Sequence, residues 1–230
     1  MSARVRQLAA ATVEIVDITK HEGVHPRIGV LDVVPFVSLR RDGAHMVCDG
    51  PIQEAIEARD AFMAWAAEAL KLPCFAYGPE RSLPEVRREA FGRLEPDIGP
   101  GQPHPTAGAC AVGARPLLVA YNLWLSSPDV EGARAIVRAI RGPGVRSLCL
   151  SVGEKTQISC NLTDPFRTSP AEVYDRVARL AEGSGNSIEH AELVGLAPMR
   201  VVQAVPSHRR AEIGLGEDQT IEARLESRPS

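Results

Sequence analysis

The chain has 230 residues, 44% of them hydrophobic and 24% charged, with a formal net charge of −3. That balance suits one large or two small globular cores and excludes a fibrous or low-complexity chain. The arginines are dispersed and no apolar run approaches the ~18 residues of a membrane span, so neither nucleic acid nor membrane is an expected partner. Cys48, Cys74, Cys110, Cys149 and Cys160 are odd in number and form no Cys-x-x-Cys pair. Free core thiols in a reducing compartment are expected. The opening residues lack the apolar core of a signal peptide, which points to a cytoplasmic location.

In chain order, residues 3–18 place Val5, Leu8, Ala9, Thr12, Val13 and Val16 at helical spacing, and an amphipathic helix is predicted. The valine-rich run 28–38 reads as a buried strand. Asp49-Gly50-Pro51 then opens a helix that Leu72-Pro73 closes. A short strand over 74–77 precedes residues 93–113, where the density of proline and glycine predicts no regular structure. So long a loop in a compact protein usually carries function.

The second half is more regular. Strands are predicted over 117–125, 145–152, 156–161 and 187–194, and helices over 129–140 and 171–182. The order β-α-β-β-α-β is that of the split βαβ, or ferredoxin-like, arrangement, an antiparallel sheet under two helices. The first half begins with a helix and offers few strands, so its sheet is expected to have an unpaired edge. Residues 206–230 form a polar tail whose ordering the pattern does not predict.

His25, held from behind by Pro26, is the first candidate for chemistry. Histidine is the commonest proton-transfer residue, and the alternative is an exposed loop histidine. His21 lies four residues earlier, but Gly23 and Pro26 break the helix that a metal pair would need. The second candidate is the loop of residues 96–108, whose glycines let a ligand approach the backbone and whose prolines hold it rigid. The alternative is a linker, and no phosphate-binding glycine signature is present. Asn122 and Asn161 sit in or at the end of strands, where asparagine is depleted, so each has either an internal partner or a ligand. Arg27 and Arg115 suit a substrate carboxylate, or are ordinary surface arginines.

Taken together, His25-Pro26-Arg27-Ile28-Gly29-Val30-Leu31-Asp32-Val33-Val34-Pro35-Phe36, Pro96-Asp97-Ile98-Gly99-Pro100, Gly113-Ala114-Arg115, Ala120-Tyr121-Asn122, Asn161-Leu162 and Glu192-Leu193-Val194-Gly195-Leu196 resemble the formiminotransferase domain of glutamate formimidoyltransferases. The resemblance runs over residues 3–205. It implies an α+β fold of two ferredoxin-like-type subdomains with mixed or antiparallel sheets, residues 1–116 and 117–205, ahead of the 206–230 tail. Family members carry further strands before the opening helix, so the first subdomain is expected to be incomplete.

The resemblance further implies transfer of a formimidoyl group between N-formimidoyl-L-glutamate and tetrahydrofolate as cosubstrate, in histidine degradation and one-carbon metabolism, with no metal. The family's catalytic histidine matches His25, and its folate-binding loop matches Gly99, Pro100, Gly101, Gln102, Pro103, His104, Pro105, Thr106, Ala107 and Gly108. Because family members tend to pair through the first subdomain, the resemblance also implies a homodimer as a candidate assembly. Where the family often has Gly-Glu-His, this chain has Gly23-Val24-His25, so a carboxylate that could tune the imidazole is gone. The rival reading is a non-catalytic folate-binding or scaffold remnant of such an enzyme.

Overall fold

A computed structural model describes residues 2–43, 45–47 and 50–227. Cys48, one of the five expected free thiols, lies outside the described residues, as does Asp49 from the expected helix start. The elements in chain order are α1 (Ser2–Ile15), β1 (Asp32–Phe36), β2 (Arg40–Asp42), β3 (His45–Val47), α2 (Ile52–Ala69), β4 (Cys74–Tyr77), α3 (Leu83–Glu89), β5 (Cys110–Ala114), β6 (Val119–Leu125), α4 (Val130–Ile140), β7 (Val145–Val152), β8 (Lys155–Leu162), α5 (Pro170–Glu182), β9 (Ile188–Val194), α6 (Met199–Gln203), α7 (Ser207–Arg210) and α8 (Ile221–Glu226). They divide into two compact units: Met1–Ser38 with Cys48–Pro116, and Leu39–Val47 with Leu117–Ser230. The class is α+β, with one parallel and one antiparallel main sheet. No described helix is long and apolar enough to cross a membrane.

The first unit is built on a three-stranded sheet in the order β1-β5-β4, parallel throughout rather than mixed or antiparallel. Parallel strands are connected by crossovers that cover both faces, so their strands bury both sides. On one face Cys74, Ala76, Cys110 and Val112 pack under Phe62, Met63 and Ala66 of α2 and Ala9 of α1. On the other, Phe75, Tyr77 and Ala111 pack under Val86 of α3. Burial of each large apolar side chain contributes about 1.5–3 kcal/mol. The central strand, β5, lies inside the stretch read as irregular. Its sequence Cys-Ala-Val-Gly-Ala is small enough for helices to close on both sides.

Two further differences have local causes. The strand expected over 28–38 is only five residues long, because ladder pairing with β5 begins at Asp32 and ends at Phe36. Helix α3 falls among turn residues and was not expected. Its start is fixed by a capping box in which Ser82 accepts from the Glu85 N–H and Glu85 reaches back to the Ser82 N–H.

The second unit's sheet runs β7-β8-β6-β9, every neighbour antiparallel. Alternation along β6 sends Val119, Tyr121, Leu123 and Leu125 into the core, while Ala120, Asn122 and Trp124 take the opposite face. Ile136, Val137 and Ile140 of α4 and Val173 and Val177 of α5 cover the buried face. Asp129 caps α4 and Ser169 opens α5 with a second capping box. The region from 206 onward, read as a polar tail, carries α7 and α8. It is anchored by Ile213, fully buried, whose carbonyl accepts from the Tyr121 hydroxyl at 2.7 Å.

Candidate active site

His25 sits on the irregular segment between α1 and β1, exposed, at a recess of about 300 Å³. His21, Arg27 and Asp32 share the lining, with Val16 and Ile18 on its apolar side. The His25 Nδ1 lies 2.9 Å from the Pro26 carbonyl. A carbonyl only accepts, so this contact assigns the proton of the neutral ring to Nδ1 and leaves the Nε2 lone pair free. Pro26 therefore supplies both a rigid backbone and the bond that sets the tautomer.

Arg27 holds this segment in shape. Its guanidinium donates to the His21 carbonyl at 3.0 Å and to the His25 carbonyl at 3.3 Å. A Cβ at Gly23 would lie 2.5 Å from that guanidinium, so the absent side chain makes room for it. Arg27 thus binds the loop's own backbone. Val24 is 57% exposed. The carboxylate of the recess belongs instead to Asp32, which accepts from the Ile28 N–H at 2.8 Å and pairs with Arg87 of α3. Asp32 has a φ of 47°, an uncommon backbone conformation for a non-glycine residue.

The expected ligand loop divides. Gly99, Pro100, Gly101, Gln102 and Pro103 are exposed and do not line the recess. Residues 104–108 form a tight loop, closed by reciprocal backbone bonds between His104 and Gly108 of 2.8 and 2.9 Å. The His104 Nδ1 accepts from the Thr106 and Ala107 N–H groups, which places that ring's proton on Nε2. Pro105 lies exposed at the turn. This loop docks beside the histidine segment: Ile18 N–H bonds Thr106 O, Val30 N–H bonds Ala107 O, and Ala109 N–H bonds Ile28 O. Two glycines allow so close an approach. A Cβ on Gly29 would stand 1.9 Å from the Ala109 carbonyl oxygen, and Gly108 has a φ of +70°.

His25, Arg27 and the 106–108 backbone are therefore brought together, while Arg115 stands apart, past the end of β5, donating to the Pro116 carbonyl at 2.9 Å. Asn122 and Asn161 both lie on the second unit's sheet, on the side away from α4 and α5. Asn122 has an internal partner, donating to Glu192 at 3.0 Å, and Asn161 is exposed. Glu192 also accepts from the Trp124 indole at 3.1 Å, and the His190 ring stacks on Trp124 with centroids 5.6 Å apart. The sequence reading missed Asp32, Trp124, His190 and Glu192 as polar features. An alternating Asn-x-Trp and His-x-Glu on facing strands was the available signal. Among the described residues no cluster of three or more His, Cys, Asp or Glu is placed to hold a metal.

The sequence profile of the formiminotransferase domain, N-terminal subdomain, matches residues 1–115. The chain is 32% identical over 218 residues to a glutamate formimidoyltransferase of Streptococcus pyogenes serotype M1, covering 85% of this chain and 70% of the relative. To a glutamate formimidoyltransferase of Thermoplasma acidophilum it is 30% identical over 240 residues, covering 94% and 76%. To a formimidoyltransferase-cyclodeaminase of Rattus norvegicus it is 32% identical over 217 residues, covering 82% of this chain but 38% of that longer protein. The chain belongs to the formiminotransferase family.

Proposed function

We propose that this protein transfers a formimidoyl group between N-formimidoyl-L-glutamate and tetrahydrofolate, with His25 as the acid/base. The observation that carries the reading is the His25 ring itself: Nδ1 is tied to the Pro26 carbonyl and Nε2 is left free at a recess. In the forward step a folate amine attacks the formimidoyl carbon, forming a C–N bond and a tetrahedral centre. His25 Nε2 takes the proton released by the attacking nitrogen and returns it to the glutamate nitrogen as the second C–N bond breaks. One group moving a proton in both directions balances the reaction without a further reagent. Arg27 keeps the loop that carries the ring in place, and the 104–108 loop braces the recess from behind through its bonds to Ile18 and Val30.

The four described cysteines carry free thiols, as a reducing, cytoplasmic setting would keep them. The test is a folate-dependent transfer assay with N-formimidoyl-L-glutamate. We expect His25→Ala to lower turnover by about 10²–10⁴-fold with the fold intact. A variant that kept the wild-type rate would remove His25 from the chemistry. A wild type that bound folate but transferred nothing would favour the non-catalytic reading.

A further inference from the structure

Burial without a partner marks a second polar feature of the first unit, joined to the His25 recess only through the Arg87–Asp32 pair. The Tyr77 hydroxyl and the Arg87 Nε are both buried and both lack a hydrogen-bond partner among the described residues. Each is a donor, and a buried donor left alone costs free energy that an acceptor would return. They belong to the same face of the parallel sheet, since Arg87 comes from α3, the helix that covers Tyr77.

The backbone shows how the phenol is delivered there. Tyr77 is the last residue of β4, 5% exposed, and pairs in register with Gly113. A Cβ on Gly113 would stand 2.1 Å from the ring Cζ and 2.5 Å from the hydroxyl oxygen. The phenol therefore lies across β5 where that strand has no side chain. Strand alternation puts Arg115 on the same side, two residues further on. Arg115 approaches the phenol: burial raises the Tyr77 pKa, and Arg115 is the largest opposing influence, with Arg87 also acting.

The charges on this face do not balance. Arg87 is paired with Asp32, whereas Arg115 has the neighbouring Pro116 carbonyl and the phenol but no carboxylate among the described residues. Two guanidiniums against one carboxylate leave one cation in excess. Tyr77 and Arg115 also stand at the C-terminal ends of parallel strands, the edge at which ligands of such sheets are held. Arg27, the other arginine considered for a carboxylate, has its bonds directed to the loop backbone.

We infer that the Tyr77 hydroxyl, the Arg115 guanidinium and the Arg87 Nε form a subsite for a carboxylate of the amino-acid substrate. Three donors, one of them fully charged and unpaired, match the acceptor-only oxygens of an ionised carboxylate. Arg115 is half-exposed and admits the ligand by a change of side-chain rotamer, the commonest adjustment on binding. The identity of the amino acid rests on the proposed transfer reaction, but the anion site does not.

The test uses glutarate as probe, with glutaramide as its neutral counterpart, in calorimetry and thermal melting on the full chain. Neither probe has a group to transfer and no folate is present, so the outcome is independent of the transfer assay. Tyr77→Phe keeps the ring over Gly113 and removes only the hydroxyl. We expect glutarate to bind the wild type at least tenfold tighter than glutaramide does, Tyr77→Phe to weaken glutarate about tenfold, and Arg115→Met to weaken it by roughly tenfold to a hundredfold. Tyr77→Phe should at the same time raise the melting temperature, because a buried unpartnered hydroxyl is gone. Equal glutarate affinity in wild type and variants, or no glutarate binding by the wild type, overturns the inference. So does a Tyr77→Phe protein that melts lower with unchanged glutarate affinity, which is the signature of an ordered water in place of a carboxylate.

Discussion

The two units solve the problem of a half-apolar sheet in opposite ways. The second lays one antiparallel sheet under two helices and gathers its core into a single cluster, with polar residues sent to the other face. The first sandwiches three short parallel strands between helices, so its apolar contacts divide into two thinner clusters. All the described buried side-chain polar atoms that lack a partner, Arg6 Nε, Tyr77 Oη and Arg87 Nε, lie in the first unit. So do the left-handed Asp32 and the recess at His25. Consistency among local pattern, packing and polar satisfaction is what specifies a fold, and its exceptions collect where a site is built. The second unit is the better-satisfied scaffold and the first carries the strain.

That contrast can be broken at the backbone. Gly29→Ala would push a methyl to within 1.9 Å of the Ala109 carbonyl, an atom that cannot step aside without moving β5. We expect a loss of about 4 kcal/mol or more, at the upper end of single substitutions. Each unit holds one of the two tryptophans, Trp65 and Trp124, so fluorescence in a Trp124→Phe background reports on the first unit alone. The Trp65 transition should move and the Trp124 transition should stay. Equal movement of both would mean that the units unfold as one.

The matching cut in the second unit is Leu123→Ala, at a fully buried side chain of β6. Removing a core leucine costs about 2–5 kcal/mol, the spread reflecting how far the site collapses. In a Trp65→Phe background the loss should appear in the Trp124 signal. A cost below about 1 kcal/mol would show that the cluster relaxes into the space and is less tightly packed than its burial indicates.

Legibility followed the same divide. In the second unit the alternation on β6 and the caps at Asp129 and Ser169 are local signals, and the six expected elements appear within a few residues of their bounds. In the first, β4 was readable over 74–77, but β5 was hidden among glycines and prolines because a doubly covered strand of small residues has no alternation to read. Ile213 and Leu215 were two apolar residues in a polar stretch, and only the core shows what they anchor. At the site, His25 and the 106–108 backbone were visible from residue type and spacing. Asp32, Tyr77 and Arg87 were not, since a positive φ, a missing partner and a phenol lying over a glycine are products of tertiary packing.

A smaller and sharper comparison uses the two capping boxes, one in each unit. Ser82 opens the seven-residue α3 and Ser169 opens the thirteen-residue α5. Replacing either serine by alanine removes a bond to a helix N–H and should cost about 1 kcal/mol. Urea titrations read at Trp65 for Ser82→Ala and at Trp124 for Ser169→Ala would locate each loss. The Ser82→Ala loss should be accompanied by weaker glutarate binding, because α3 also positions Arg87, whereas Ser169→Ala should leave that affinity unchanged.

The smallest effects concern acid sensitivity, where each unit has an arginine–carboxylate pair of different burial. In the first, the Arg59 side chain is 5% exposed and grips Glu80 with two bonds of 2.8 and 2.9 Å. In the second, Arg209 and Asp175 are 28% and 40% exposed. Hydrogen bonding from the arginine lowers the carboxylate pKa in both cases, against the opposing pull of burial. A carboxylate whose folded pKa lies below its unfolded value adds stability above the unfolded value, and that stability is lost as pH falls through the folded one. For Glu80 the window therefore opens below 4.5, and for Asp175 below 3.8. Glu80→Gln should destabilise the first unit near neutrality and converge on the wild type at acid pH, since protonation has by then removed the same charge. Asp175→Asn should show the same sign with a smaller amplitude, because solvent screens an exposed pair. Melting curves from pH 7 to pH 3 would decide it. A larger effect at Asp175 than at Glu80 would mean that the burial of Arg59 adds nothing to its pair, and that the first unit's polar contacts are no more tightly held than those of the second.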